Sequence, residues 1–193
     1  MKKIALLSIA LLINFCSSGE SSSSPAITTI EDEPVETVET IPEPDVDIWT
    51  AVKEGDLQSI KQHILYGTDL NSRHSRRGDT PLITAACHGQ YEIARILIDA
   101  GAGIDNKNDE DVTAQFCAVF FGRTDLVQLL KDKGADPNII MNQDLSAMDV
   151  VSVEWDKTRS QAVGLYNILY GVNVNIDEVE EAHPLIMEIL NSP

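Results

Sequence analysis

The stretch from Gly78 to Asn138 states one pattern twice, at an offset of 33 residues. Thr80 returns as Thr113, Ala85 as Ala118, Gly89 as Gly122, Gly101 as Gly134, Ala102 as Ala135, and Asp105 as Asn138. Six agreements at one offset are not a product of composition. A period of this length marks a stacked array, in which each unit is too small to bury its own apolar face and hides it against the next. No other feature of the sequence constrains the fold as tightly.

The core of the more regular unit reads Thr80-Pro81-Leu82-Ile83-Thr84-Ala85. This resembles the ankyrin repeat, a 33-residue unit with a Thr-Pro-Leu-His-x-Ala core. Ile83 stands where that family has His, so the customary Thr–His hydrogen bond is missing; the next unit has Ala114 for Pro and Phe116 for His. The resemblance implies an all-α ankyrin-repeat solenoid, with helix-turn-helix units joined by hairpin loops. About four repeats and a C-terminal capping helix are expected. It also implies a binding scaffold, because partners of such stacks are met by variable positions on the concave face and loop tips.

The local chemistry supports these units. Thr80 can cap a helix through its hydroxyl, and Pro81 suits the first helical position, where no amide partner is required. Ala85 and Ala86 are small enough for close helix packing. Gly89 separates two helices, and Tyr91–Ala100 forms the second, with Ile93, Ile96, Leu97 and Ile98 apolar. Gly101 ends it in the left-handed conformation. Leu126, Val127, Leu129 and Leu130 form the matching stripe in the third unit. The predicted repeats span 45–74, 75–107, 108–140 and 141–175, with the cap at 176–193. The first has polar Ser59 and Gln62 where its successor has Ile93 and Ile96, as an end repeat requires. The fourth is degenerate: Gly171-Val172-Asn173-Val174-Asn175 closes it, and inserted residues fall in Glu154–Gln161. A final helix over Pro184–Leu190 shields the stack.

The N-terminal stretch has a different composition. Met1-Lys2-Lys3 precedes an apolar run, Ile4–Ile13, too short to span a bilayer and suited to a secretory signal over 1–15. The run ends Leu12-Ile13-Asn14-Phe15-Cys16, which resembles a bacterial lipoprotein leader with Cys16 as the acylated residue. Phe15 departs from that pattern, where a small residue is usual, and an ordinary secretory signal is the alternative. Residues 16–44 are rich in Ser, Thr, Glu and Pro, the composition of an unfolded tether. Residues 17–47 hold nine carboxylates and no Lys or Arg, in a chain of net charge −17. So acidic a chain is a poor ligand for nucleic acid, whose binding rests on displaced counterions. The expected location is a bacterial envelope membrane, at the outer membrane or periplasmic face, with surface exposure as an alternative. The partners expected are the membrane, through its lipid anchor, and an unidentified protein, bound by a monomer. A host-facing adhesin and a purely structural envelope lipoprotein are the competing readings.

No catalytic residue, cofactor or metal ligand nominates itself. His63, His74, His88 and His183 show no metal-ligand spacing. Cys87 and His88 are adjacent in a helix and point about 100° apart, so they cannot form a nucleophile–base pair. His63 takes the usual leucine position of a second helix and is expected to be packed. Cys87 and Cys117 fall on neighbouring helices with a three-residue stagger, and two free thiols are expected.

Carried over from the ankyrin resemblance, the partner-facing positions are Arg76, Arg77, Asp79, Cys87 and His88 in the second repeat. In the third they are Asp109, Glu110, Val112, Phe120 and Phe121; in the fourth, Asn142, Gln143, Leu145, Val153 and Glu154. Phe120 and Phe121 are either an exposed interface anchor or packing groups, one against the neighbouring repeat and one against the inserted segment. Arg73-His74-Ser75-Arg76-Arg77 is the basic cluster of an acidic protein, set on a lengthened loop. Trp155 replaces an inter-helix glycine and is expected to fill space under the insertion.

Overall fold

The computed structural model describes residues 41–141, 145–152 and 156–193. The leader, the tether up to residue 40, Cys16, Asn142, Gln143, Val153, Glu154 and Trp155 lie outside the described residues. The described chain is helical: α1 (Ile48–Glu54), α2 (Leu57–Tyr66), α3 (Pro81–His88), α4 (Tyr91–Asp99), α5 (Ala114–Phe120), α6 (Thr124–Asp132), α7 (Ala147–Ser152), α8 (Lys157–Tyr170) and α9 (Ile176–Asn191). Among the described residues there is one isolated β-bridge, Met141 with Leu145, and no helix long and apolar enough to cross a membrane.

The starts of α1, α2, α3, α5 and α9 follow from capping side chains in the sequence. Thr80 Oγ1 accepts from Ile83 N at 3.2 Å and Thr113 Oγ1 accepts from Phe116 N at 3.2 Å, so the two repeats share one cap. Asp47 caps α1 by accepting from Thr50 N, and Asp56 caps α2 by accepting from Gln58 N and Ser59 N. Fully buried Ile60, Leu97, Leu126 and Leu130 lie on the second helices, and Leu82 and Ile83 on α3. Burying each such side chain stabilises the stack by about 1.5–3 kcal/mol. Ile83 takes the histidine position as a core residue. His63 is buried as expected, its ring nitrogens bonded to Thr68 Oγ1 at 3.0 Å and the Val46 carbonyl at 2.8 Å.

First helices α1, α3 and α5 pack in series, continued by α7 against α5, while α4 packs on α2 and α6 on α4. The next second helix is α9, which packs on both α6 and α7. The inter-helix glycines record this register. A methyl group added at Gly55 would meet the Gln90 side chain, and one at Gly89 the Arg123 side chain. At Gly122 it would stand 3.0 Å from the Val179 Cα. Gln90 and Arg123 are the N-caps of α4 and α6, and Val179 is in the first turns of α9. Lys131 of α6 fastens the far end, donating to the Ile189 carbonyl and to Ser192.

α9 therefore fills the second-helix place beside α7, and α8 is an excursion between them. The sequence reading put the repeat boundary at Asn175 and the last helix at Pro184–Leu190. Instead the helix starts at Ile176, because Asn175 Oδ1 accepts from Asp177 N and Asp177 and Glu178 complement the helix dipole. Pro184 sits inside it at the cost of one backbone hydrogen bond, on an exposed face.

The two cysteines differ from expectation. Cys87 and Cys117 form a disulfide, with Cα atoms 5.0 Å apart. The free-thiol expectation took the spacing of helix axes for the spacing of Cα atoms. Axes about 8–10 Å apart bring facing Cα atoms, each about 2.3 Å off its axis, to roughly 4–5 Å. That lies within disulfide reach.

Candidate functional site: a groove between the first helices and the inserted helix

α8 crosses onto the first-helix side of the stack and is held there by aromatic contacts. Tyr166 packs on Phe120 with ring centroids 4.9 Å apart, and Tyr170 meets Phe121 edge-on at 5.9 Å. Phe116 and Phe120 stack at 5.8 Å, as do Tyr166 and Tyr170. Tyr166 and Tyr170 are one helical turn apart, so both rings project from the same side of α8. Each such aromatic pair adds about 0.5–1.5 kcal/mol beyond its buried area. Phe121 is 2% exposed and Phe120 half-buried. The pair is thus packing, but both rings meet α8, whereas the packing reading from the sequence divided them between the neighbouring repeat and the inserted segment; Phe121 offers no surface to a partner.

A polar latch holds the end of α8. The Arg77 guanidinium lies 3.5 Å from the Tyr170 ring centroid and donates to the Leu169 carbonyl at 2.9 Å. Along one edge it donates from Nε and Nη2 to Asp79 Oδ2, at 3.1 and 2.7 Å. Asp79 is buried, and it also accepts from Asn108 Nδ2 at 2.7 Å, joining two successive hairpin loops. Trp49 Nε1 donates to the Asp79 carbonyl at 2.9 Å. Asp79 is therefore a structural node. Burial, followed by the Asp79 charge, pushes the Tyr170 hydroxyl well above the ordinary phenol range, so it stays protonated.

Between these elements lies an open groove of about 650 Å³. Thr84, Cys87 and His88 of α3 form its floor, Trp49 and Lys53 of α1 one wall, and Tyr166–Gly171 the opposite wall; His74, Arg76, Arg77, Asp79 and Glu110 come from the loops. Its volume falls within the roughly 300–1,000 Å³ of ligand pockets. Of the basic cluster, Arg73 pairs with Asp109, His74 meets Trp49 edge-on at 5.2 Å, and Arg77 is the latch. The Arg76 guanidinium and the Lys53 ammonium have no ion-pair partner among the described residues. Burial, then the charges of Lys53, Arg123 and Arg77, hold His88 below the ordinary histidine range.

The structure brings Arg76, Arg77, His88 and Glu110 into one groove, leaves Asp109 exposed at a loop tip, and buries Asp79, Val112 and Phe121. Trp49, Lys53, Tyr166 and Tyr170 escaped the sequence reading. Extending the repeat register into the first repeat would have found Lys53, since it and Glu54 directly precede Gly55. Among the described residues no group of three His, Cys, Asp or Glu side chains is placed to hold a metal ion.

Residues 48–141 match the family model for ankyrin repeats (three copies). An ankyrin repeat-containing protein of Treponema pallidum (strain Nichols) is 33% identical over 117 residues, 60% of this chain and 39% of that protein. Protein phosphatase 1 regulatory subunit 12A of Mus musculus is 30% identical over 54% of this chain and 10% of its own length. The chain thus spans well under half of either relative. Among solved structures, an ankyrin repeat domain from Acinetobacter baumannii AYE superposes with a TM-score of 0.51 at 25% identity, over 72% of this chain and 63% of that one. Residues 48–141 are ankyrin repeats, and the fold is an all-α ankyrin-repeat solenoid, an architecture that serves protein–protein interaction.

Proposed function

We propose that this protein is a partner-binding module held at a bacterial envelope membrane through an acylated Cys16, and that it grips a protein segment in the groove between α1, α3 and α8. The observation that carries the reading is the groove itself. It is open, walled on both sides, and lined by Lys53 and Arg76, which have no ion-pair partner among the described residues. A rigid preformed slot loses little conformational entropy on binding. The basic start, apolar run and cysteine at Met1–Cys16 support export and anchoring. The acidic Ser/Pro-rich stretch that follows suits a spacer.

A photo-crosslinking residue at Arg76, in protein expressed in its native membrane, should capture one stoichiometric protein. The same residue at Gln128, exposed on α6, should not. Equal capture from both positions would remove the groove from the reading. Cys16→Ser should move the protein from the membrane fraction to the soluble one; no movement would remove the anchor.

A further inference from the structure

The groove carries the opposite electrical character to the molecule around it. The chain has a net charge of −17, yet Lys53, Arg76 and Arg77 outnumber Asp79 and Glu110 along the groove. Arg77 and Asp79 neutralise each other in a pair with little exposure. Glu110 is engaged by the Asn108 amide and the Tyr170 hydroxyl. Those neutral donors leave Glu110 its charge, but Lys53 and Arg76 have no ion-pair partner among the described residues, and the His88 ring makes no hydrogen bond among them. The walls beside them are apolar and aromatic: Trp49 on one side, and Ile168 and Leu169 on the other, the last two 80% and 58% exposed.

From this juxtaposition of unpaired donors and apolar walls, and resting on the partner-binding reading above, we infer that the groove recognises an acidic peptide segment. A side-chain carboxylate sits among Lys53, Arg76 and His88, and a neighbouring apolar residue lies against Trp49 and Leu169. Charge-assisted hydrogen bonds of this kind are the strong ones, and a partly desolvated groove screens them less than open solvent does. The acidic remainder of the molecule repels carboxylates elsewhere, so the groove is also where such a segment is steered.

A pH signature follows. The groups facing His88 are Lys53 on α1, Arg77 and Asp79 on the preceding loop, and Arg123 at the start of α6; burial and the three cations hold the free ring below the ordinary range. Tyr170 across the groove remains protonated. A bound carboxylate favours the charged imidazolium and raises its pKa, so binding takes up a proton. Affinity therefore rises as pH falls through the bound His88 value. It declines again where the peptide carboxylates protonate, near pH 4.

The test is calorimetric titration of the full-length protein in detergent micelles with the blocked peptide acetyl-Leu-Glu-Leu-Asp-Leu-amide. Binding should strengthen several-fold between pH 8 and pH 6. The double variant Lys53→Gln with Arg76→Gln should weaken it about tenfold or more at an unchanged helical spectrum. His88→Gln should keep the pH 8 affinity and lose the pH dependence. Equal binding of the Gln/Asn analogue, binding of inorganic phosphate as tight as that of the peptide, an unaffected double variant, or no binding by the wild type would each overturn the inference. Capture of a protein at Arg76 without peptide binding would overturn the carboxylate and leave the groove reading standing. Peptide binding without capture would do the reverse.

Discussion

The guanidinium carbon of Arg77 lies over the Tyr170 ring, 3.5 Å from its centroid, and thereby ties the last turn of α8 to the loop preceding α3. The ring pairs of Tyr166 with Phe120 and of Tyr170 with Phe121, the Arg77 bond to the Leu169 carbonyl and the Tyr170 hydroxyl donating to Glu110 also restrain this side of α8. Replacing Arg77 by Ala should free the end of α8 while leaving the stack folded. Amide exchange over 160–170 should quicken, and exchange in α3 and α5 should stay slow. A double-mutant cycle with Tyr170→Phe, which keeps the ring, should show much smaller coupling than one with Tyr170→Ala. The latter should be about 1–2 kcal/mol.

Reduction of Cys87–Cys117 should destabilise the array without dissolving it. The bridge closes a loop of sequence separation 30, for which chain-entropy reasoning gives about 3–4 kcal/mol. Urea denaturation with and without dithiothreitol should show a shift of that order. Cys87→Ala/Cys117→Ala should match the reduced protein and be insensitive to dithiothreitol.

Gly122 provides a test of the α9 register. Its φ is +67°, which an L side chain adopts at a cost of about 1–2 kcal/mol. A methyl group there would also press on the Val179 backbone. Gly101 has φ +95° and no atom within 4 Å of such a methyl. Gly122→Ala should therefore lower Tm clearly more than Gly101→Ala. Equal losses would mean that α9 does not sit against α5 as described.

Acid should loosen the helix starts first. Asp47, Asp56 and Asp149 lie below the ordinary carboxylate value of 3.8, chiefly through hydrogen bonds from the Thr50, Ser59 and Ser146 side chains. Depressed folded-state values mean that their stabilisation is complete above the unfolded value and fades as pH falls through the lower folded one. Stability should decline on acidification from about pH 4 downward. Asp47→Asn and Asp56→Asn keep a capping oxygen and should flatten that decline while altering neutral-pH stability little. The measurement is urea unfolding at pH 7, 4 and 3.

The array from α1 to α6 was legible because its signals are local and recur: a threonine cap, an inter-helix glycine, and a glycine closing the second helix. The same locality misled at the fourth repeat. Gly171-Val172-Asn173 resembles Gly134-Ala135-Asp136 because any helix can end on a left-handed glycine, so the motif reports a terminus and not its place in the stack. What places α9 is contact across the array, at Gly122 and Val179, and no periodicity encodes that. Phe120 and Phe121 looked stranded for a similar reason. Their covering rings, Tyr166 and Tyr170, lie on a helix whose path is not a repeat. The groove was half visible: its loop cations were read from the register, whereas its far wall belongs to the excursion.

Because α7 packs on α5, and α9 packs on both α6 and α7, the array is continuous without α8. The segment between α7 and α9 is topologically a loop that happens to be helical, and outside Val163, Tyr166 and Tyr170, which are buried or cover Phe120 and Phe121, it can be rewritten without renegotiating the contacts among the other helices. Swapping its sequence would change the shape and selectivity of the slot while the spine stays fixed, much as an interchangeable jaw is fitted to a vice.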